Sequence, residues 1–193
     1  MLFRSHPPEN MIRRTVMSQG SKQTILVVGG CRSGKSRFSE QWATERFARK
    51  TYVATTVAGD DEEMLHRVAM HRQNRGADWQ TIEEPRDIAD VLRRQWQHTD
   101  VFLVDCLTLW LTNLLLQDFA DEDILDRVGD LAAAIRECPV SVALVANEVG
   151  LGIVPEAALA RRFRDLAGWC NQTIGAGCDQ VVFMAAGLPL YLK

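Results

Sequence analysis

The sequence predicts one α/β domain, a mostly parallel sheet with helices on both faces. Three observations predict it. Short β-branched apolar runs alternate with helix-length amphipathic stretches along most of the chain. The first such run, Thr24 to Val28, ends in two glycines and a loop that leads straight into a helix. A length of 193 residues, 47% of them hydrophobic, suits one sizeable core and is too short for two comfortable ones.

In chain order, Thr24 to Val28 reads as a buried parallel strand and Lys35 to Lys50 as an amphipathic helix carrying Phe38, Trp42, Ala43 and Phe47 on one face. Thr51 to Thr55 is a second strand. Asp60 to Asn74 reads as a helix opened by acidic residues, which suit a helix N-terminus. Trp79 to Ile82 is a short strand, and Pro85 starts a helix to about Gln97. Val101 to Val104 is a buried strand with Asp105 at its end. Leu107 to Leu116 and Asp121 to Glu137 are helical, Val140 to Ala146 is a strand, Pro155 to Ile174 a long helix, and Gln180 to Ala185 the last strand. No repeat, low-complexity tract or linker divides the chain. Residues 1–23, polar and carrying Pro7 and Pro8, read as a disordered extension, with Met11 and Met17 as alternative translation starts; residues 24–193 form the domain.

Composition excludes some classes. Net charge is −3, from 22 basic and 25 acidic side chains, which argues against a nucleic-acid groove. The longest apolar stretch, Val101 to Leu116, is interrupted by Asp105, Thr108, Thr112 and Asn113, so no membrane span is expected. The five cysteines include no C-x-x-C pair, which suggests free thiols in a reducing cytoplasm.

Gly29-Gly30-Cys31-Arg32-Ser33-Gly34-Lys35-Ser36 fits G-x-x-x-x-G-K-[ST] at every position. The glycines let the backbone close around phosphates with N–H groups pointing inward, and the helix N-terminus favours negative charge. Lys35 is expected on the β- and γ-phosphates of a nucleoside triphosphate and the Ser36 hydroxyl on Mg²⁺. This makes the sheet P-loop NTPase-like, of RecA-like type. Asp105 is expected as the metal's second ligand, at the end of a strand neighbouring the first. A helix N-cap role for Asp105 is compatible with that.

A second unusual place is Met64 to Arg75. On a helix, Arg67, His71 and Arg75 share one face. A histidine among arginines is held neutral by like-charge repulsion and so stays nucleophilic, and the arginines would bind an anion under attack. That arrangement is one design for covalent catalysis at phosphorus, with His71 taking up a phosphoryl or nucleotidyl group. The spacing by itself favours a solvated basic face with an incidental histidine. His6, His66 and His98 read as surface residues.

Together these segments resemble a known family, the bifunctional adenosylcobinamide kinase/adenosylcobinamide-phosphate guanylyltransferases of cobalamin biosynthesis. The resemblance runs from Thr24 to Lys193. It is carried by Gly29 to Ser36; Tyr52 to Thr55 with Asp60 to Met64; His71 to Arg75 with Trp79 and Glu83; Asp105 to Thr108 with Thr112 to Leu114; Asn147 to Pro155; Phe163 to Gly168 with Asn171 and Gln172; and Gly187 to Leu190. Asn147 to Pro155 is the most specific, since general phosphate-loop kinases lack it.

The resemblance implies two reactions. ATP or GTP phosphorylates the aminopropanol hydroxyl of adenosylcobinamide. GTP then gives GMP to a histidine, with loss of pyrophosphate, and GMP passes to the phosphorylated cobinamide to give the GDP derivative. His71 stands at the guanylylated position. Thr55, Thr56, Arg72, Gln73, Asn74, Arg75, Glu83 and Asp105 match guanine-nucleotide-contacting positions. Asn147, Glu148 and Arg164 are expected to shape the site beyond the nucleotide. Two departures are a shorter carboxylate, Asp105, where the family often has glutamate, and Cys31 where it often has alanine. A homotrimer with sites near subunit boundaries is also implied. A plain phosphate-loop kinase without a covalent step, and a RecA-like nucleic-acid motor, are the competing readings.

Overall fold

The structure is a computed structural model that describes residues 21–56 and 78–193. Among the described residues, seven strands form one sheet in the order β3-β2-β4-β5-β1-β6-β7. They are β1 (Thr24–Gly29), β2 (Lys50–Ala54), β3 (Trp79–Glu83), β4 (Val101–Asp105), β5 (Ser141–Asn147), β6 (Gln180–Ala185) and β7 (Leu188–Tyr191). All pairings are parallel except β6–β7. The helices are α1 (Lys35–Thr44), α2 (Ile88–Gln95), α3 (Leu107–Leu115), α4 (Asp121–Glu137) and α5 (Ala158–Gly177), with a 3-10 turn at Trp96–His98.

The pleat sends successive side chains to opposite faces, and the strands use both. Leu26, Val28, Val53, Phe102, Val104, Val142, Leu144 and Ala146 join the core beneath α2, α3, α4 and α5. Their sequence neighbours Ile25, Val27, Tyr52, Ala54, Val101, Leu103, Ala143 and Val145 join the opposite core, with Trp42 and Ala43 of α1. Helices on both faces are thus observed, four on one and α1 on the other among the described residues.

Several boundaries differ from the expected ones, for a shared reason: side chains take the carbonyls that a longer helix would use. The first helix ends at Thr44, not Lys50. The buried Lys50 ammonium takes the carbonyls of Phe47 and Ala48, each at 3.0 Å, and pairs with Asp78. The helix expected from Pro85 starts at Ile88. Glu84 accepts the N–H groups of Arg86 and Asp87 at 2.9 Å each. The carbonyls of Pro85 and Arg86 are held by Asn113 Nδ2 and Trp110 Nε1 at 3.0 and 2.7 Å. The last helix starts at Ala158 rather than Pro155, because the Arg161 guanidinium binds the carbonyls of Pro155 and Glu156, and it runs on to Gly177. The antiparallel edge strand β7 was not expected. Its Pro189 lacks a ladder donor and all four residues are exposed, so the sequence shows no buried strand there.

The expected helix over Asp60 to Asn74 lies outside the described residues, as do His66, Arg67, His71, Arg72, Gln73, Asn74 and Arg75.

Candidate functional site: a phosphate loop at the carboxyl edge of the sheet

Parallel pairing puts the carboxyl ends of the strands along one edge, the usual ligand side of an open α/β sheet. The register aligns Gly29 with Asn147 and with Met184, and Ala54 with Asp105 and with Glu83. One correction concerns Asp105. Its strand is not a neighbour of β1, because β5 lies between them. At about 4.8 Å per strand, Asp105 stands two strands away, and the residue on the adjacent strand end is Asn147.

The loop from Gly29 to Ser36 is shaped by its glycines. Gly29 has φ +153°, and a Cβ there would lie 2.5 Å from the Met184 carbonyl oxygen and 2.8 Å from Ser33 Oγ. Gly34 has φ +99° and sits against Gly187 Cα. The loop is tied to its surroundings through the backbone. Glu148 N–H donates to the Gly29 carbonyl at 3.0 Å, and Gly187 N–H donates to the Ser33 carbonyl at 3.0 Å. A cleft of about 510 Å³ opens above it, lined by Arg32 to Arg37 and by Ala186 and Gly187.

Lys35 is buried, with 7% exposure. Its Nζ donates to the Gly30 carbonyl at 2.7 Å. Burial pushes its pKa below the ordinary lysine value, and the Asp105 carboxylate is the largest influence in the opposite direction. The end of β5 lies between the strand ends that carry the loop and Asp105. Ser33 Oγ is buried without a hydrogen-bond partner among the described residues, at the floor of the loop. Cys31 is an exposed free thiol in the same loop.

Thr55 is fully buried, and its hydroxyl donates to the Cys106 carbonyl while accepting Cys106 N–H, both at 2.8 Å. That hydroxyl works as a staple between the ends of β2 and β4. Thr56 is half-buried and Glu83 exposed, both on the same edge. Thr108 Oγ1 accepts Asn147 N–H at 2.7 Å, and Asn171 Nδ2 donates to the Asn147 carbonyl at 3.3 Å. Glu148 accepts Gly150 N–H, which folds the start of the Asn147 to Pro155 segment. Arg164 is half-buried, with Asp165 3.8 Å away.

Among the described residues, no cluster of three or more His, Cys, Asp or Glu side chains forms a metal cage. Mg²⁺ does not need one, since it keeps waters and takes one or two protein oxygens beside the substrate's phosphates. The Ser36 hydroxyl and the Asp105 carboxylate are hard oxygen donors of that kind. Ala186 and Gly187, which line the cleft, were missed by sequence reasoning; the only signal was the Gly187 to Leu190 motif. Trp110 was missed as well, and Thr108 and Asn113 stood only in motifs that carry the resemblance, with no role assigned, since their partners are distant in the chain. Among the described residues no helix is long and apolar enough to cross a membrane.

Residues 25–192 match the family model described as cobinamide kinase / cobinamide phosphate guanyltransferase. The chain is 48% identical over 169 residues to the bifunctional adenosylcobalamin biosynthesis protein CobP of Pseudomonas aeruginosa, covering 87% of this chain and 96% of that protein. It is 38% identical over 181 residues to the bifunctional adenosylcobalamin biosynthesis protein CobU of Escherichia coli, and 39% identical over 181 residues to that of Salmonella typhimurium. Each of these matches covers 88% of this chain and 99% of the relative. The family match spans almost the whole parallel α/β domain, including the phosphate loop at the carboxyl edge of its sheet, and the chain belongs to the cobinamide kinase / cobinamide phosphate guanyltransferase family.

Proposed function

We propose that this chain performs its family's two activities in cobalamin biosynthesis, cobinamide kinase and cobinamide phosphate guanylyltransferase, with one phosphate loop and two points of attack on a nucleoside triphosphate. The observation that carries the reading is the match over residues 25–192, which includes the complete loop from Gly29 to Ser36.

In the kinase reaction the cobinamide aminopropanol oxygen bonds to the γ-phosphorus of ATP or GTP, and the bond to the bridging oxygen breaks. The hydroxyl proton goes to solvent and a nucleoside diphosphate leaves. Lys35 and the loop N–H groups hold the charge that builds on the bridging oxygen. In the transferase reaction a His71 ring nitrogen bonds to the α-phosphorus of GTP and pyrophosphate leaves, gripped by the same loop. The phosphate of cobinamide phosphate then displaces the histidine, giving the GDP derivative. Arg67, Arg72 and Arg75 stabilise the anionic phosphorus under attack. Thr55, Thr56, Gln73, Asn74 and Glu83 hold the guanine nucleotide.

Mg²⁺, held by Ser36 and Asp105, would neutralise phosphate charge when bound. The working assembly is a homotrimer. Leu151, Ile153 and Val154, exposed apolar side chains in the segment that follows Glu148, support an interface. Free thiols support a cytoplasmic location.

The test follows both products by mass spectrometry, with cobinamide and ATP first and then with cobinamide phosphate and GTP. Phosphorylated cobinamide and its GDP derivative are expected in turn. Phosphorylation without the GDP derivative would leave only a plain kinase.

A further inference from the structure

The Thr112 to Leu114 motif has no role in the mechanism above, yet its middle residue makes two long-range contacts. Asn113 Nδ2 donates to the Thr55 carbonyl at 2.7 Å and to the Pro85 carbonyl at 3.0 Å. These carbonyls lie just beyond the carboxyl ends of β2 and β3. One turn earlier on α3, Trp110 Nε1 donates to the Arg86 carbonyl at 2.7 Å. Trp110 and Asn113 are three residues apart and share a helix face. At the start of the same helix, Cys106 is bonded both ways to the Thr55 hydroxyl. A single helix thus holds the ends of β2 and β3 at fixed distances.

What α3 holds there differs from what holds the phosphate loop. The loop's own backbone ties run to Glu148 and Gly187, after β5 and β6. The Asn113 contacts instead hold the backbone at Thr55, next to Thr56, and at Pro85, two residues after Glu83, on the edge assigned above to the guanine nucleotide. An amide side chain with both N–H groups on carbonyls cannot be replaced by a carboxylate of the same shape, which would set oxygen against oxygen.

We infer that Asn113 is a positioning residue for guanylyl transfer, fixing the carboxyl ends of β2 and β3 so that GTP is bound productively for attack at its α-phosphorus. The inference rests on the guanylyltransferase reading above. It assigns Asn113 to one of the two activities and leaves the kinase geometry to the ties from β5 and β6.

The test compares full-length Asn113→Ala and Asn113→Asp with the wild type in both half-reactions, using ATP and cobinamide for the kinase and GTP and cobinamide phosphate for the transfer. Losing two backbone-directed hydrogen bonds should raise the KM for GTP in transfer by roughly tenfold or more, with kinase kcat/KM within about twofold. Asn113→Asp sets a carboxylate against the two carbonyls and should lose at least as much as alanine. Asn113→Gln, which keeps the amide donor, gives the answer if both are too unstable to assay, with the transfer KM again expected to rise more than the kinase one. Equal losses in both activities, or no change in transfer, would overturn the inference. A wild-type enzyme that makes phosphorylated cobinamide but no GDP derivative would instead overturn the transferase reading, and this inference with it.

Discussion

Lys35 folds back on its own loop, with Nζ 2.7 Å from the Gly30 carbonyl oxygen. The loop is therefore shaped around a cation that already has an oxygen partner, and a phosphate oxygen can take that partner's place at little reorganisation cost. Burial holds the lysine below its ordinary pKa, so the charge is destabilised until an anion arrives.

Replacing Lys35 by methionine should thus separate stability from activity. Removing a desolvated charge should leave the melting temperature unchanged or higher, while both half-reactions lose about 10²–10³-fold in kcat. Thermal unfolding and steady-state kinetics on one preparation check this. A large drop in melting temperature would contradict it.

Gly29 and Gly30 should respond differently to alanine. At Gly29 the new methyl meets the Met184 carbonyl oxygen at 2.5 Å with the backbone at φ +153°, whereas at Gly30 nothing lies within 4 Å. Gly29→Ala should cost about 2–5 kcal/mol in denaturant unfolding, from strain and overpacking together. Gly30→Ala should stay within about 0.5 kcal/mol of wild type.

Asp105 is expected to tolerate lengthening but not loss of charge. Asp105→Glu, which keeps the carboxylate, should retain activity. Asp105→Asn should lower kcat and raise the Mg²⁺ concentration needed for half-maximal rate, because Lys35 loses the carboxylate that most offsets its burial. Magnesium titrations of the three proteins decide it.

The thiols give a prediction in pH. Burial pushes Cys106 up to about 11 and Cys170 and Cys178 up to about 12, from an ordinary 9.0. These groups keep their protons at pH 8, so a thiol reagent should find one fast site, the exposed Cys31, and bound nucleotide should protect it. Above about pH 9 the unfolded chain releases thiol protons that the folded chain retains. Stability should therefore fall as pH rises from there towards 11. Two or more fast sites at pH 8 would contradict this picture.

What the sequence made legible follows from how far each signal reaches. The phosphate loop is eight consecutive residues with a strand before and a helix after, so it was readable in full. The strands were readable because alternation between two buried faces leaves nearly unbroken apolar runs, as at Val101–Asp105 and Ser141–Asn147. The helix ends at Thr44, Ile88 and Ala158 were not, because the side chains of Lys50, Asn113, Trp110 and Arg161 take carbonyls that lie just beyond those ends. Strand order was not readable either, which is why Asp105 was expected beside β1 when β5 lies between them. The β6–β7 turn, which touches the phosphate loop through Gly187 and Ser33, leads into β7, whose residues are all exposed, so no buried strand marks it in the sequence.

The central claim is that a bound triphosphate is attacked at its α-phosphorus by His71. Intact mass spectrometry after incubation with GTP and Mg²⁺ tests it most directly. The account predicts a GMP-sized increase on the wild-type chain, labile to acid and stable to base as a phosphoramidate is, and absent from a His71→Ala variant that retains kinase activity. No increase on the wild type, or the same increase on the variant, would contradict it.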